Sequence, residues 1–219
     1  MSELRLYDYA PSCNCYKVRL LLANLGQSYE RIPVDIFGGE TLTNEYAQKN
    51  PTRTTPLLEL PDGRFLPESA AILVYLAEGT ELWPDDAFDR AQVLRWLVYE
   101  QTDVIPATGG LRFRLITGRL APDDADAQRR RTAGQEVLAL LNNHLMSRPF
   151  LVADRYTVAD IAVYGYVHVA NEAGYDVCAY PNIERWLGLV AAQVGYMNDV
   201  EPYPANARAG AGSSIYGSS

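Results

Sequence analysis

A change of periodicity near residue 80 constrains this 219-residue chain more than any other feature. Before it, strand-like and helix-like patterns take turns. Glu3-Leu4-Arg5-Leu6-Tyr7-Asp8 alternates apolar and polar residues as a strand does. Val18, Leu21, Leu22 and Leu25 then recur at helical spacing, and Gly26 is a suitable C-terminal stop. Residues 29–34 read as a second strand, 41–48 as a helix after Gly38-Gly39, and 56–60 as a third strand after the turn Asn50-Pro51. Pro61-Asp62-Gly63 is a hairpin turn into Arg64-Phe65-Leu66, and residues 68–78 make a helix with Ala71, Ile72, Tyr75 and Leu76 on one side. The order β-α-β-α-β-β-α predicts a compact α/β unit over residues 1–79.

Residues 80–86, with Trp83-Pro84, read as a linker, and almost everything after them is helical. Val93, Leu94, Leu97 and Val98 form one stripe, interrupted by Pro106 and Gly109-Gly110, where a kink or restart is expected. Val137, Leu138, Leu141 and Leu145 form another. Thr157-Val158-Ala159-Asp160 is a helix start with its cap written out, the Asp160 carboxylate reaching back to the N-cap. Pro181 to Val194 supplies one more helix. The helical domain is therefore expected over 87–201, followed at 202–219 by a Pro/Ala/Gly/Ser-rich tail, extended or mobile.

Composition narrows the function. A hydrophobic content of 48% is enough for a sizeable core. A net charge of -8 argues against nucleic acid or an anionic membrane as partner. No apolar run is as long as a membrane span, and Met1-Ser2-Glu3-Leu4-Arg5 carries no signal pattern, so the expected location is cytoplasmic. Cys13, Cys15 and Cys178 form neither a disulfide framework nor a zinc spacing, and no metal is expected. Cys178 is read as structural or incidental, and His144 and His168 as packing or surface residues.

The chemistry concentrates at Ser12-Cys13-Asn14-Cys15, between the first strand and the first helix. A redox protein of the thioredoxin kind carries Cys-x-x-Cys there, with the attacking thiol in the first position. Here that position is Ser12. A hydroxyl cannot shuttle electrons, but it can donate a hydrogen bond to a bound thiolate.

Together with the order of elements, the Ser12/Asn14 loop, Asn50-Pro51-Thr52-Arg53-Thr54-Thr55-Pro56, Glu68-Ser69-Ala70-Ala71-Ile72 and the capped helix at Thr157 resemble a cytosolic glutathione transferase over about residues 3–200. The loop looks most like that of the bacterial Nu-type enzymes. The resemblance implies a thioredoxin-like domain followed by an all-α domain, a homodimer, and glutathione as cosubstrate. Ser12 and Asn14 would be the catalytic pair, their alternative being an ordinary N-cap arrangement. The resemblance further implies a cis bond before Pro56. It places the Thr55 main chain against the cysteinyl part of glutathione with Thr54 beside it, and Arg53 at the glycyl carboxylate. Ser69 and Glu68 would take the γ-glutamyl carboxylate and ammonium. A second-substrate pocket is expected from Tyr9 with Ile105, Gly109, Arg112 and Phe113, which share a face at α-helical spacing; the same spacing fits core packing.

The implied activity is detoxifying thiolate attack on small disulfides, organic hydroperoxides or electrophiles. A non-catalytic binding module of the same fold and a thiol transferase working through Cys15 or Cys13 are the alternatives.

Overall fold

A computed structural model describes residues 3–216. The chain divides into two compact units, one made of the residues up to Leu76 together with those from Met197 onward, the other of Ala77–Tyr196. The boundary thus falls at Leu76/Ala77, and the last stretch of chain belongs to the first unit.

In the first unit β1 (Arg5–Asp8), α1 (Cys13–Asn24), β2 (Glu30–Pro33), α2 (Asn44–Lys49), β3 (Leu57–Glu59), β4 (Phe65–Pro67) and α3 (Ser69–Ala77) follow the expected order. The expected helix over 41–48 is split into a 3₁₀ turn, Glu40–Leu42, and α2. Thr43 separates the two with an extended backbone and caps α2 through Tyr46 N–H. The sheet order is β2-β1-β3-β4, with β1 parallel to β2 and β3 antiparallel to both β1 and β4. Register places Leu6 opposite Leu58 and Leu58 opposite Leu66, so a row of leucines crosses three strands on one face. Val18 and Leu22 of α1 and Ile72 of α3 pack on that row.

The stripe on α1 predicted an amphipathic helix. Instead nine of its residues are buried, from Cys13 through Leu22, among them the charged Lys17 and Arg19. The terminal segment supplies part of that cover. Tyr16 Oη donates to Met197 O at 2.8 Å, and Arg19 grips the Asp199 carboxylate at 2.8–3.0 Å. Arg19 also pairs with Asp8 at 2.6 Å, and Asp8 with Arg31 at 2.6 Å. Burial alone would lower the pKa of Arg19, but Asp199 and Asp8 outweigh it and raise the value further.

The terminal segment, with a 3₁₀ turn at Ala205–Ala207, is anchored along its course. Asn206 Nδ2 donates to the Asp35 carboxylate at 2.9 Å, and Ser213 N–H donates to Phe37 O at 2.9 Å. Gly212 lies so close to Asn206 O and Phe37 O that a Cβ there would collide with both.

The second unit is helical: α4 (Ala87–Tyr99), α5 (Gly110–Ile116), α6 (Ala125–His144), α7 (Val158–Val167) and α8 (Pro181–Ala191). The kink expected at Pro106 and Gly109 is replaced by a π-helix, Glu100–Gly109, joining α4 to α5 without a break. Wider winding accommodates a proline that has no N–H and would collide with the preceding turn of an α-helix. Gly109 lets this segment pack directly on the Tyr166 ring, where a Cβ would overlap the ring atoms. Tyr175 Oη, donating at 2.8 Å, satisfies the Ala107 carbonyl.

At the start of α7 the capping box forms as the sequence predicts. Asp160 accepts from Thr157 N–H, Leu151 N–H and Trp186 Nε1 at 2.9–3.0 Å, and from the Thr157 hydroxyl at 3.2 Å. Its carboxylate is thus the node that ties α7 to α8 and to the Leu151 loop. Among the described residues no helix is long and apolar enough to cross a membrane.

Candidate functional site

Three separated stretches of the first unit meet in one pocket. Asn14 comes from the first turn of α1, Thr54, Thr55 and Pro56 from the loop before β3, and Glu68 and Ser69 from the start of α3. Tyr216 of the terminal segment lines the same pocket. The pocket has a volume of about 80 Å³ and is lined mostly by polar side chains.

Each stretch has a local cause. Ser12 is the N-cap of α1, with an extended backbone and its Oγ accepting from Cys15 N–H at 3.3 Å. That bond uses an oxygen lone pair and leaves the hydroxyl proton for another acceptor. Ser12 itself is not among the residues lining the cavity; it stands at the helix start beside it.

The loop before β3 is held from behind by Asn50, which is fully buried. Its amide NH₂ donates to Thr54 O at 2.9 Å, and its carbonyl accepts from Thr52 N–H at 3.1 Å and the Thr52 hydroxyl at 2.8 Å. Tyr46 Oη donates to the same Thr54 carbonyl at 2.7 Å. The Thr55–Pro56 bond is cis. Sequence reasoning used Asn50 only as a turn signal and missed it as a positioning residue. The clue was an Asn two residues before a Thr, a spacing that favours side-chain to backbone hydrogen bonds.

Arg53 and Glu68 both adopt left-handed backbone conformations, with φ of 58° and 72°. For non-glycine residues this costs about 1–3 kcal/mol each, and such positions cluster where a ligand is held. Glu68 lines the pocket, whereas Arg53 is not among its lining residues. Arg53 Nη1 donates to Thr41 O and Thr43 O at 3.2 and 3.3 Å, so this nitrogen ties the loop to the start of α2.

Ser69, 3% exposed, opens α3 and donates from its hydroxyl to Asn14 Oδ1 at 3.2 Å. This fixes the Asn14 amide so that its NH₂ is the end left to donate. A helix start with an inward hydroxyl suits a carboxylate, and the Glu68 side chain suits an ammonium.

Cys15 lies behind the pocket, fully buried, accepting from Tyr9 N–H at 3.4 Å. Burial, helped by Asp8, pushes its thiol up to about 12 against the opposing contacts from Tyr9 N–H, Thr55 and Ser12. A thiol so disposed stays protonated at neutral pH and is a poor nucleophile. Cys13 is also buried, and Cys178 is exposed.

The expected second-substrate residues have other surroundings. Tyr9 is 5% exposed, its ring packed on Phe37 and Tyr203 at centroid distances of 5.9 and 6.3 Å. Gly109 faces Tyr166, and Arg112 is buried in an ion pair with Glu172 at 2.8 Å. Phe113 is half-buried beneath the Arg119 guanidinium, and Ile105 is half-buried too. The shared face was derived from 3.6 residues per turn, and the π-helix invalidates that phase through residue 109. Among the described residues no cluster of three or more His, Cys, Asp or Glu side chains could hold a metal ion.

Comparison with known proteins agrees with this geometry. The family model described as "Glutathione S-transferase, N-terminal domain" matches residues 6–82, and "Glutathione S-transferase, C-terminal domain" matches 99–193. A solved glutathione S-transferase from Pseudomonas fluorescens is 37% identical, with a TM-score of 0.88 over 91% of this chain and 100% of that one. The disulfide-bond oxidoreductase YfcG of Escherichia coli is 29% identical over 81% of this chain and 86% of its own length. A glutathione transferase from Burkholderia graminis, solved with two glutathione molecules per subunit, is 28% identical, with a TM-score of 0.77 over 89% of this chain and 85% of that one. The chain belongs to the cytosolic glutathione transferase family.

Proposed function

We propose that the pocket binds glutathione and that the protein activates its thiolate for attack on small disulfides, organic hydroperoxides or electrophiles. The observation that carries this reading is the convergence of Asn14, Thr54, Thr55, Glu68 and Ser69, contributed by three separate stretches, on one polar cavity. In the proposed pose Glu68 and the Ser69 helix start hold the γ-glutamyl ammonium and carboxylate, and the Thr55 main chain pairs with the cysteinyl residue. Arg53 reaches the glycyl carboxylate with the guanidinium nitrogens left over from Thr41 and Thr43. The sulfur then lies at the mouth of α1, beside Ser12 and Asn14.

The energetics suffice. Lowering a thiol pKa by about two units requires about 2.7 kcal/mol of differential stabilisation. A hydrogen bond to a charged acceptor contributes roughly 1.5–3 kcal/mol, and a helix N-terminus about 0.3–1 kcal/mol. Ser12 supplies the hydroxyl proton and α1 the helix start. Asn14 adds a donor to the sulfur or to the departing atom.

With a disulfide, the thiolate forms a new S–S bond to one sulfur and expels the other as thiolate; a second glutathione resolves the mixed disulfide. With a hydroperoxide, it attacks the distal oxygen, the alcohol leaves, and a second glutathione reduces the sulfenate with loss of water. With an electrophile, an S–C bond forms as the leaving group departs. The name of the YfcG relative favours the disulfide reaction. The family supports a homodimer, and cytoplasmic action suits a thiol cosubstrate.

Calorimetry with glutathione, followed by assays with a disulfide, a hydroperoxide and an aromatic halide, tests the proposal. Glutathione binding that Ser69→Ala weakens, with turnover that Ser12→Ala lowers, supports it. Absence of binding to the parent protein refutes it.

A further inference from the structure

The terminal segment runs across the first unit as a strap, and its course is fixed at several independent points. Asp199 is held by Arg19, Tyr203 packs on Tyr9, Asn206 binds Asp35, and Ser213 forms a parallel bridge with Gly38. The close approach at Gly212 holds the strap tightly against Phe37 just before the chain turns toward the pocket. Three residues past the last anchor, Tyr216 stands against Asn14, Thr55, Glu68 and Ser69. It remains 40% exposed, yet burial, with Cys15 and Glu68 nearby, raises the pKa of its phenol. The phenol therefore keeps its proton at neutral pH.

We propose that Tyr216 is a substrate-contacting residue, delivered by the strap to close the glutathione pocket and to hold the bound tripeptide through its ring and hydroxyl. This rests on the functional reading above. The pocket that Tyr216 helps to line, about 80 Å³, is small beside the roughly 300–1,000 Å³ of a pocket that surrounds a drug-sized ligand. A tripeptide seated on Glu68 and Ser69 outgrows this cavity and extends past its lining residues, Tyr216 among them.

The experiment compares the parent protein, Tyr216→Ala, Tyr216→Phe and a chain truncated after Ser213, measuring the glutathione dissociation constant by calorimetry and the thermal midpoint of each. Tyr216→Ala and the truncation are each expected to weaken binding about five- to tenfold, the equivalent of one aromatic contact plus one hydrogen bond. Tyr216→Phe, losing the hydroxyl alone, is expected to weaken it about threefold. Midpoints should not move, because every upstream anchor is kept. Unchanged or tighter binding in both the Ala variant and the truncation overturns the proposal while leaving the functional reading intact. Failure of the parent protein to bind glutathione overturns both.

Discussion

The Ser69 hydroxyl donates to Asn14 Oδ1 across 3.2 Å, joining the first turns of two helices that lie 55 residues apart in sequence. The proposed carboxylate-holding group and the proposed thiolate-facing group are thus coupled: one orients the other. Alanine at Asn14 should lower kcat about 10- to 100-fold, the worth of a hydrogen bond to charge. Alanine at Ser69 should mainly raise KM for glutathione and lower kcat to a lesser extent, through a misoriented Asn14. A double-mutant cycle on kcat/KM should give a coupling of about 0.5–1.5 kcal/mol. Strict additivity contradicts the coupling.

Thiol reactivity separates the hydroxyl mechanism from a cysteine-based one. With Cys13 and Cys15 buried and the Cys15 thiol pushed up to about 12, only the exposed Cys178 should react with an aromatic disulfide reagent in the native protein at mildly alkaline pH. Cys13 and Cys15 should appear on unfolding. Cys15→Ser should retain activity, and a fast-reacting Cys15 contradicts this account.

Asp8 is nearly inaccessible and is shared between Arg19 and Arg31. Removing it takes from the buried Arg19 one of its two carboxylate partners, Asp8 and Asp199. Asp8→Ala is expected to cost about 3–5 kcal/mol, typical of breaking one side of a buried ion pair. For a chain of this size that lowers the melting midpoint by about 10 °C. Calorimetric unfolding checks it, and a loss under 1 kcal/mol contradicts the role given to the cluster.

Burial pushes the Asp160 carboxyl up to about 6, opposed by its four donors from Trp186, Leu151 and Thr157. Its folded pKa lies above the ordinary value of 3.8, so folding takes up a proton between those pH values. Asp160 alone therefore makes the protein less stable as pH rises from about 4 to about 6 and has no further effect above that. Asp160→Asn should be destabilised at pH 7 through loss of the charge-accepting cap, and the stability difference from wild type should widen as pH falls from 6 to 4. Denaturant titrations across that range measure the slope.

Much of the secondary structure was legible because its cues are local. Strand alternation, Gly26, the Pro61-Asp62-Gly63 turn and the Thr157/Asp160 cap each act within a few residues, and each lies where its pattern indicates. Ser12 and Asn14 stood out because a serine occupies the first position of a Cys-x-x-Cys-like loop, whereas Thr54, Thr55, Glu68 and Ser69 were singled out through the resemblance to glutathione transferases. The rest depends on distant contacts. Nothing in the α1 sequence announces that Tyr16 and Arg19 are covered by residues 197–199. The small, polar tail composition gave no sign of the Phe37–Ser213 anchor or of Tyr216 in the pocket. Pro106 signalled a break, but whether a helix stops or widens is decided by its packing, here on Tyr166 and Tyr175. That ambiguity displaced the expected face containing Gly109 and Arg112.

The most direct measurement is an ultraviolet titration of the thiolate of bound glutathione in the wild-type protein and in Ser12→Ala. The wild-type complex should ionise about two units below free glutathione, with Ser12→Ala returning most of that shift. A bound sulfur still protonated at neutral pH in the wild-type protein, or one whose ionisation is unaffected by losing the Ser12 hydroxyl, would contradict the account.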